Sequence, residues 1–117
     1  VAVDLNSESK ALIGAEQFDL MQKHAVFINI ARGSVVDENA LIHALQQNKI
    51  FAAGLDVYAK EPLQSSPLFE LPNVVTAPHI GSATAETRQK MVKLAYQNLI
   101  DGLEGRIPRY LVNPKFE

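Results

Sequence analysis

Three short apolar runs, separated by stretches of helical periodicity, constrain this chain more than any other feature. They are Ala25 to Ile30 (AVFINI), Ile50 to Val57 (IFAAGLDV) and Val74 to Ala77 (VVTA). Runs of this length, rich in Val and Ile and bounded by turn residues, predict strands. AVFINI is nearly continuous in its apolarity, which predicts a strand covered on both faces. In IFAAGLDV the small residues Ala52, Ala53 and Gly54 leave room for a helix to pack close. VVTA stops at Pro78, which cannot continue a sheet ladder. The chain opens on a further short strand, Val1 to Val3, followed by a polar loop, Asp4 to Ser9 (DLNSES).

The intervening stretches predict helices. Ala15 to Gln22 turns Phe18 and Met21 inward and ends at Lys23 and His24, cations that suit that pole of a helix. Asp37 is a good N-cap for Glu38 to Gln47, where Ala40, Leu41, Ala44 and Leu45 recur at helical spacing, and Asn48 suits the C-cap. The longest helix starts at Ser82 or Thr84 and runs to about Leu103, with Met91, Leu94, Ala95, Asn98, Leu99 and Leu103 on one stripe and Gly102 or Gly105 as its stop. Between Val57 and Val74 lies a long loop in which Pro67 to Leu71 predicts one short helical turn. The order β-α-β-α-β-loop-β-α predicts an α/β fold with a parallel sheet and helices on both faces. Arg106 to Glu117 is a tail whose Ile107, Tyr110, Leu111 and Val112 suit docking on another surface.

Composition narrows the function. The net charge of −2 offers no basic field for nucleic acid or anionic lipid. The absence of cysteine excludes disulfides, a thiolate nucleophile and a Cys-ligated metal, and fits a reducing cytosol. No apolar run reaches the roughly 18 residues of a membrane span. No pair of histidines has metal-ligand spacing, so no metal site is expected. His24 and His43 read as ordinary helix residues. The lack of an initiator methionine and the start on a strand suggest a piece of a longer chain.

The chemistry concentrates where strands end. Arg32, Asp56 and His79 follow the three apolar runs, and Glu61 lies five residues beyond Asp56. Parallel strands point one way, so their carboxyl ends share one rim, where open α/β sheets place their ligands. Each residue also has an ordinary alternative: Arg32 as a solvated turn arginine, Asp56 as a turn cap, Glu61 as an exposed loop acid, His79 as a satisfied loop histidine. Together they suit reduction of a 2-oxo acid. An arginine holds a carboxylate by paired hydrogen bonds. A histidine shuttles a proton near neutral pH, and a carboxylate beside it favours its charged form and fixes its tautomer. The hydride must come from a cofactor.

The segments FINIARGSVVDENAL, AAGLDVYAKEP, LPNVVTAPHIGSAT and ETRQKM, in this order and spacing, resemble the D-isomer-specific 2-hydroxyacid dehydrogenases, most of all the glyoxylate/hydroxypyruvate and 2-ketogluconate reductase-type members. The resemblance implies the C-terminal half of a Rossmann-like, doubly wound parallel sheet in residues 1–83. Residues 84–117 would be the crossover helix and tail returning to a substrate domain. It implies Arg32 as substrate-carboxylate binder, Glu61 as partner of the catalytic histidine and His79 as acid/base. It implies NAD or NADP as cofactor, contacted by Ser9, Ala31, Arg32, Asp56, His79 and Gly81, with Asp56 on the nicotinamide carboxamide. Where the family shows a loop of the type LPLTPET, this chain has DLNSES: Asp4 replaces a proline, and Ser9 replaces a threonine while keeping its hydroxyl. The glycine-rich phosphate loop, GxGxxG, occurs nowhere in the sequence. By itself this segment is therefore expected to hold the cofactor poorly. The implied partners are a small 2-oxo or 2-hydroxy acid and a second copy of the parent chain. Two alternatives from other classes are a non-enzymatic nucleotide-sensing module of the same fold and a structural piece that self-associates through an open sheet edge.

Overall fold

The computed structural model describes residues 1–113. It contains two compact units, Val1–Gly81 and the segment from Ser82 onward. In the first, β1 (Val26–Asn29), β2 (Ala52–Leu55) and β3 (Val74–Thr76) form a parallel sheet in the order β1-β2-β3. Val26 pairs with Ala52 and Asn29 with Leu55; Ala53 pairs with Val74 and Leu55 with Thr76. The helices are α1 (Ala15–Leu20) and α2 (Glu38–Gln46), and single 3-10 turns occupy Gly33–Val35 and Pro67–Glu70. This is the expected α/β architecture.

The register puts Phe27, Asn29, Ala53, Leu55 and Val74 on one face, because side chains alternate along each strand. Phe18 of α1 and Leu41, Ala44 and Leu45 of α2 pack onto that face in one core with Ile50, Tyr58 and Leu68. Phe18 meets Phe27 edge to face, with ring centroids 5.2 Å apart. Each fully buried Phe or Leu contributes roughly 1.5–3 kcal/mol of transfer free energy. The opposite face stays open: Val26, Ile28, Ile30 and Val75 are all exposed. The expectation of a sheet covered on both sides therefore fails here, since α1 and α2 both serve one face. The small residues of β2 divide accordingly. Ala53 enters the core, whereas Gly54 lies under the Ile28 side chain, where an added Cβ would come within 2.9 Å of Ile28 Cδ1.

Further differences are local. Val1 to Val3 forms no strand; only Val1 pairs, its N-terminus donating to the Ile28 carbonyl and its carbonyl accepting from Ile30 N–H. α1 stops at Leu20, two residues early, where Met21 turns extended and donates its N–H to the Phe18 carbonyl. α2 is capped as expected, with the Asp37 carboxylate accepting from Ala40 N–H at 3.1 Å. Its C-cap is Gln47, and Asn48 follows at φ +53°, the left-handed position that ends many helices. The long loop after β2 is anchored by Leu68, only 1 % exposed, in its 3-10 turn, and Ser66 caps that turn.

The second unit is dominated by α3 (Ala85–Leu103), capped by Thr84, whose hydroxyl accepts from Thr87 N–H at 3.2 Å. Gly105, at φ +73°, is the left-handed stop, and Arg106 folds back to donate to Asp101. None of the α3 residues is buried: the apolar stripe read from the spacing, including Met91, Leu94, Leu99 and Leu103, is exposed. Of the tail, Ile107, Tyr110 and Val112 are likewise exposed, and residues 114–117 lie outside the described residues.

Candidate active site

The sequence places a polar or ionisable residue just past each strand, and the parallel sheet gathers these at one rim. Arg32 stands three residues beyond β1, Asp56 one beyond β2 and His79 three beyond β3. Asn29, the last residue of β1, prepares the first turn. It is 2 % exposed, its amide oxygen accepts from Ala31 N–H at 3.1 Å, and its amide nitrogen donates to the Arg32 carbonyl at 3.2 Å. These bonds bend the chain at Ala31, which is buried, and turn Arg32 outward. The Arg32 guanidinium is exposed and donates to the Ala31 carbonyl at 2.7 Å.

Gly33 follows because nothing larger fits. A Cβ there would lie 1.8 Å from the carbonyl carbon of Tyr58 and 1.9 Å from its oxygen. The turn after β1 thus presses against the loop after β2. That loop is tied at two further points: Ala59 N–H donates to the Glu38 carboxylate at 3.0 Å, and Tyr58 N–H donates to Glu61 Oε1 at 3.0 Å.

Glu61 and His79 form the centre. His79 Nδ1 lies 2.7 Å from Glu61 Oε2. His79 adopts φ +53°, a left-handed backbone that non-glycine residues seldom take and that recurs at functional sites. Its N–H donates to the Ala77 carbonyl at 3.1 Å, closing a tight turn over Pro78. Asp56 secures the next two residues, its two carboxylate oxygens accepting from Ile80 N–H at 2.8 Å and Gly81 N–H at 2.9 Å. The His79 hydrogen bond, then Tyr58 N–H, then the charges of His79 and Arg32 hold the Glu61 carboxyl below the ordinary glutamate value of 4.5, against a smaller opposing effect of burial. Both members of the pair border a cleft of about 460 Å³, lined otherwise by Tyr58, Leu63, Phe69 and Pro78 among others.

Three of the expected residues are brought together directly: His79 and Glu61 are in contact, and Asp56 holds the backbone just after His79. Arg32 follows β1 at the same edge of the sheet, its guanidinium bonded to the Ala31 carbonyl. Gly81 faces Asp56 so closely that an added Cβ would sit 3.2 Å from Oδ2. Ser9 is placed differently. Its hydroxyl donates to the Asp4 carbonyl at 2.6 Å and accepts from Asn6 N–H at 2.8 Å, inside its own turn. Two contributors escaped the reading of the sequence. Asn29 had a signal, a lone amide inside an apolar run; Tyr58 had none.

A depressed carboxyl pKa is a statement about stability. The folded state favours the ionised Glu61, so this contribution is complete above the ordinary glutamate value and disappears as pH falls through the lowered one. Glu61→Gln is expected to flatten the acid limb of the stability profile of this chain, measured by urea unfolding across that window. An unchanged acid limb would contradict the pairing.

A rim of this kind, carrying an acid–imidazole pair and an outward arginine at the carboxyl ends of parallel strands, lies where open α/β sheets place their ligands. The chain belongs to the D-isomer specific 2-hydroxyacid dehydrogenase family, matching its NAD binding domain over residues 1–81. Among its relatives is the glyoxylate/hydroxypyruvate reductase B of Salmonella newport (strain SL254), 55% identical over 116 residues, which are 98% of this chain and 36% of the relative. The chain thus spans about a third of the length of the curated relatives it matches. A Thermus thermophilus protein, TT0316, superposes with a TM-score of 0.89 at 44% identity, covering 95% of this chain and 36% of that one. The NADPH-dependent glyoxylate/hydroxypyruvate reductase of Sinorhizobium meliloti, solved with NADP and malonate, superposes with a TM-score of 0.83 at 34% identity, covering 96% and 38%.

Proposed function

We propose that this chain forms the catalytic part of a longer NAD(P)-dependent reductase, one that converts a small 2-oxo acid of the glyoxylate or hydroxypyruvate type to the D-2-hydroxy acid. The observation that carries this is the 2.7 Å contact between His79 Nδ1 and Glu61 Oε2 on the rim that Arg32 shares. With Nδ1 engaged by the carboxylate, Nε2 is the atom left to carry a proton to and from substrate. Glu61, held ionised, orients the ring. Arg32, with donors beyond the one spent on Ala31, is suited to the substrate carboxylate. His79 Nε2 delivers its proton to the carbonyl oxygen as that oxygen gains charge. The nicotinamide, when bound, supplies the hydride.

The residues on this rim fit such a cofactor. Asp56 spends two of its roughly four acceptor positions on backbone N–H groups and keeps others for a carboxamide. Gly81 and Ala31 present little side chain there. The proposal extends to Ser9 on the adenosine side, to NAD or NADP as hydride donor, to a homodimer, and to work in a reducing cytosol. Neither nucleic acid nor a membrane has a part in it.

The test is a chimera in which this chain replaces the matching stretch of the Salmonella newport reductase. The expected result is oxidation of NADH or NADPH on addition of glyoxylate or hydroxypyruvate. A folded chimera inert with both cofactors and both acids would sink the proposal.

A further inference from the structure

Tyr58 touches every segment that builds the rim. Its carbonyl abuts Gly33, and its N–H holds Glu61. Its ring is buried, 8 % exposed, and burial raises the pKa of its phenol, so the hydroxyl stays protonated at neutral pH as a donor. Oη lies 2.8 Å from the Ala77 carbonyl and 3.1 Å from the Leu55 carbonyl. Neither carbonyl needs it. Ala77 O already accepts from His79 N–H at 3.1 Å, and Leu55 O from Ala77 N–H at 2.8 Å. The hydroxyl is therefore a brace between the ends of β2 and β3 rather than the rescue of an orphaned acceptor. A phenylalanine would fill the same space without a buried hydroxyl to satisfy.

We infer that the Tyr58 hydroxyl is a positioning group for His79: by fixing the Ala77 carbonyl, to which the His79 N–H is also bonded, it holds the left-handed turn that lays the imidazole on Glu61. This rests on the function proposed above only in its kinetic consequence; the geometric claim concerns this chain alone. Removing the hydroxyl leaves Ala77 O held by the His79 N–H alone, without its anchor to β2, and loosens the turn across Pro78. The ring of His79 then samples orientations off Glu61. Glu61, also faced by Tyr58 N–H and the Arg32 charge, loses the largest of the influences that keep it ionised.

The experiment is Tyr58→Phe in two settings. In this chain, carbon-13 NMR follows the Glu61 carboxyl through its titration, and nitrogen-15 NMR follows the His79 ring. The Glu61 midpoint is expected to rise toward the ordinary value and the His79 ring nitrogens to report an averaged tautomer, with the melting temperature little changed. In the chimera, kcat is expected to fall roughly tenfold at unchanged KM for the 2-oxo acid. A folded Tyr58→Phe chain with the parent's Glu61 titration and His79 signature would overturn the inference. An inert parent chimera would count against the proposed function and leave the NMR result standing. Tyr58→Leu, which removes the ring as well, separates packing from the hydroxyl: it should lower the melting temperature where Tyr58→Phe does not.

Discussion

His79→Asn in the chimera is expected to lower kcat by about two to four powers of ten, the usual worth of a general acid. Asparagine is the informative replacement because it tolerates the left-handed backbone that His79 adopts at φ +53°. The turn over Pro78 and the Asp56 bonds to Ile80 and Gly81 then survive, and the loss reflects the missing imidazole alone. Arg32 remains in place, so KM for the 2-oxo acid should change far less than kcat. Steady-state kinetics with glyoxylate and either reduced cofactor makes the measurement. A variant within about tenfold of the parent would remove His79 from the reaction.

Gly33→Ala carries the other large effect, on the fold and through it on the site. The added methyl would stand 1.8 Å from Tyr58 C and 1.9 Å from Tyr58 O, and 2.3 Å from Ala59 N. These are backbone atoms, fixed from the far side by Tyr58 packing in the core and by Ala59 N–H bonded to Glu38. No side-chain rotation relieves the overlap, so one of the two loops must move. Overpacking of this kind costs about 1–3 kcal/mol or more, enough to lower the melting temperature by several degrees. The movement also displaces Glu61, which hangs from Tyr58 N–H. Thermal melts and urea unfolding of Gly33→Ala against the parent chain decide the matter. Equal stability would mean that the turn after β1 and the loop after β2 are not pressed together as described.

The open sheet face shows where pattern alone misleads. AVFINI reads as buried on both sides because Val26, Ile28 and Ile30 are apolar. A strand's composition records which surfaces are suited to burial, not which are covered within a given stretch of chain. α1 and α2 both pack on the Phe27 and Asn29 side, so the other side stays exposed. The same holds for Met91, Leu94 and Leu99: their spacing declares a helix face, and the helix forms, but nothing among the described residues buries it.

Sequence by itself determined the three strands of the sheet, the helices and their polarity, though not the state of Val1 to Val3, which forms no strand. Apolar runs ending at Arg32, Asp56 and His79, helix caps at Asp37 and Thr84, and the motifs carried by FINIARG, LDVYAKEP and PHIGS were all local. Local chemistry suffices to choose strand, helix or turn and to order them along a parallel sheet. Only the tertiary structure decided which groups touch. That His79 Nδ1 rather than Nε2 meets Glu61, that Asp56 spends itself on the backbone of Ile80 and Gly81, and that Ser9 turns into its own loop depend on how the folded backbone sets distances. Those distances are set by close packing: Gly33 against Tyr58, Tyr58 between two strand ends, Asn29 beneath the Arg32 turn. No periodicity or spacing encodes them, because each arises from shapes that meet only once the chain has folded.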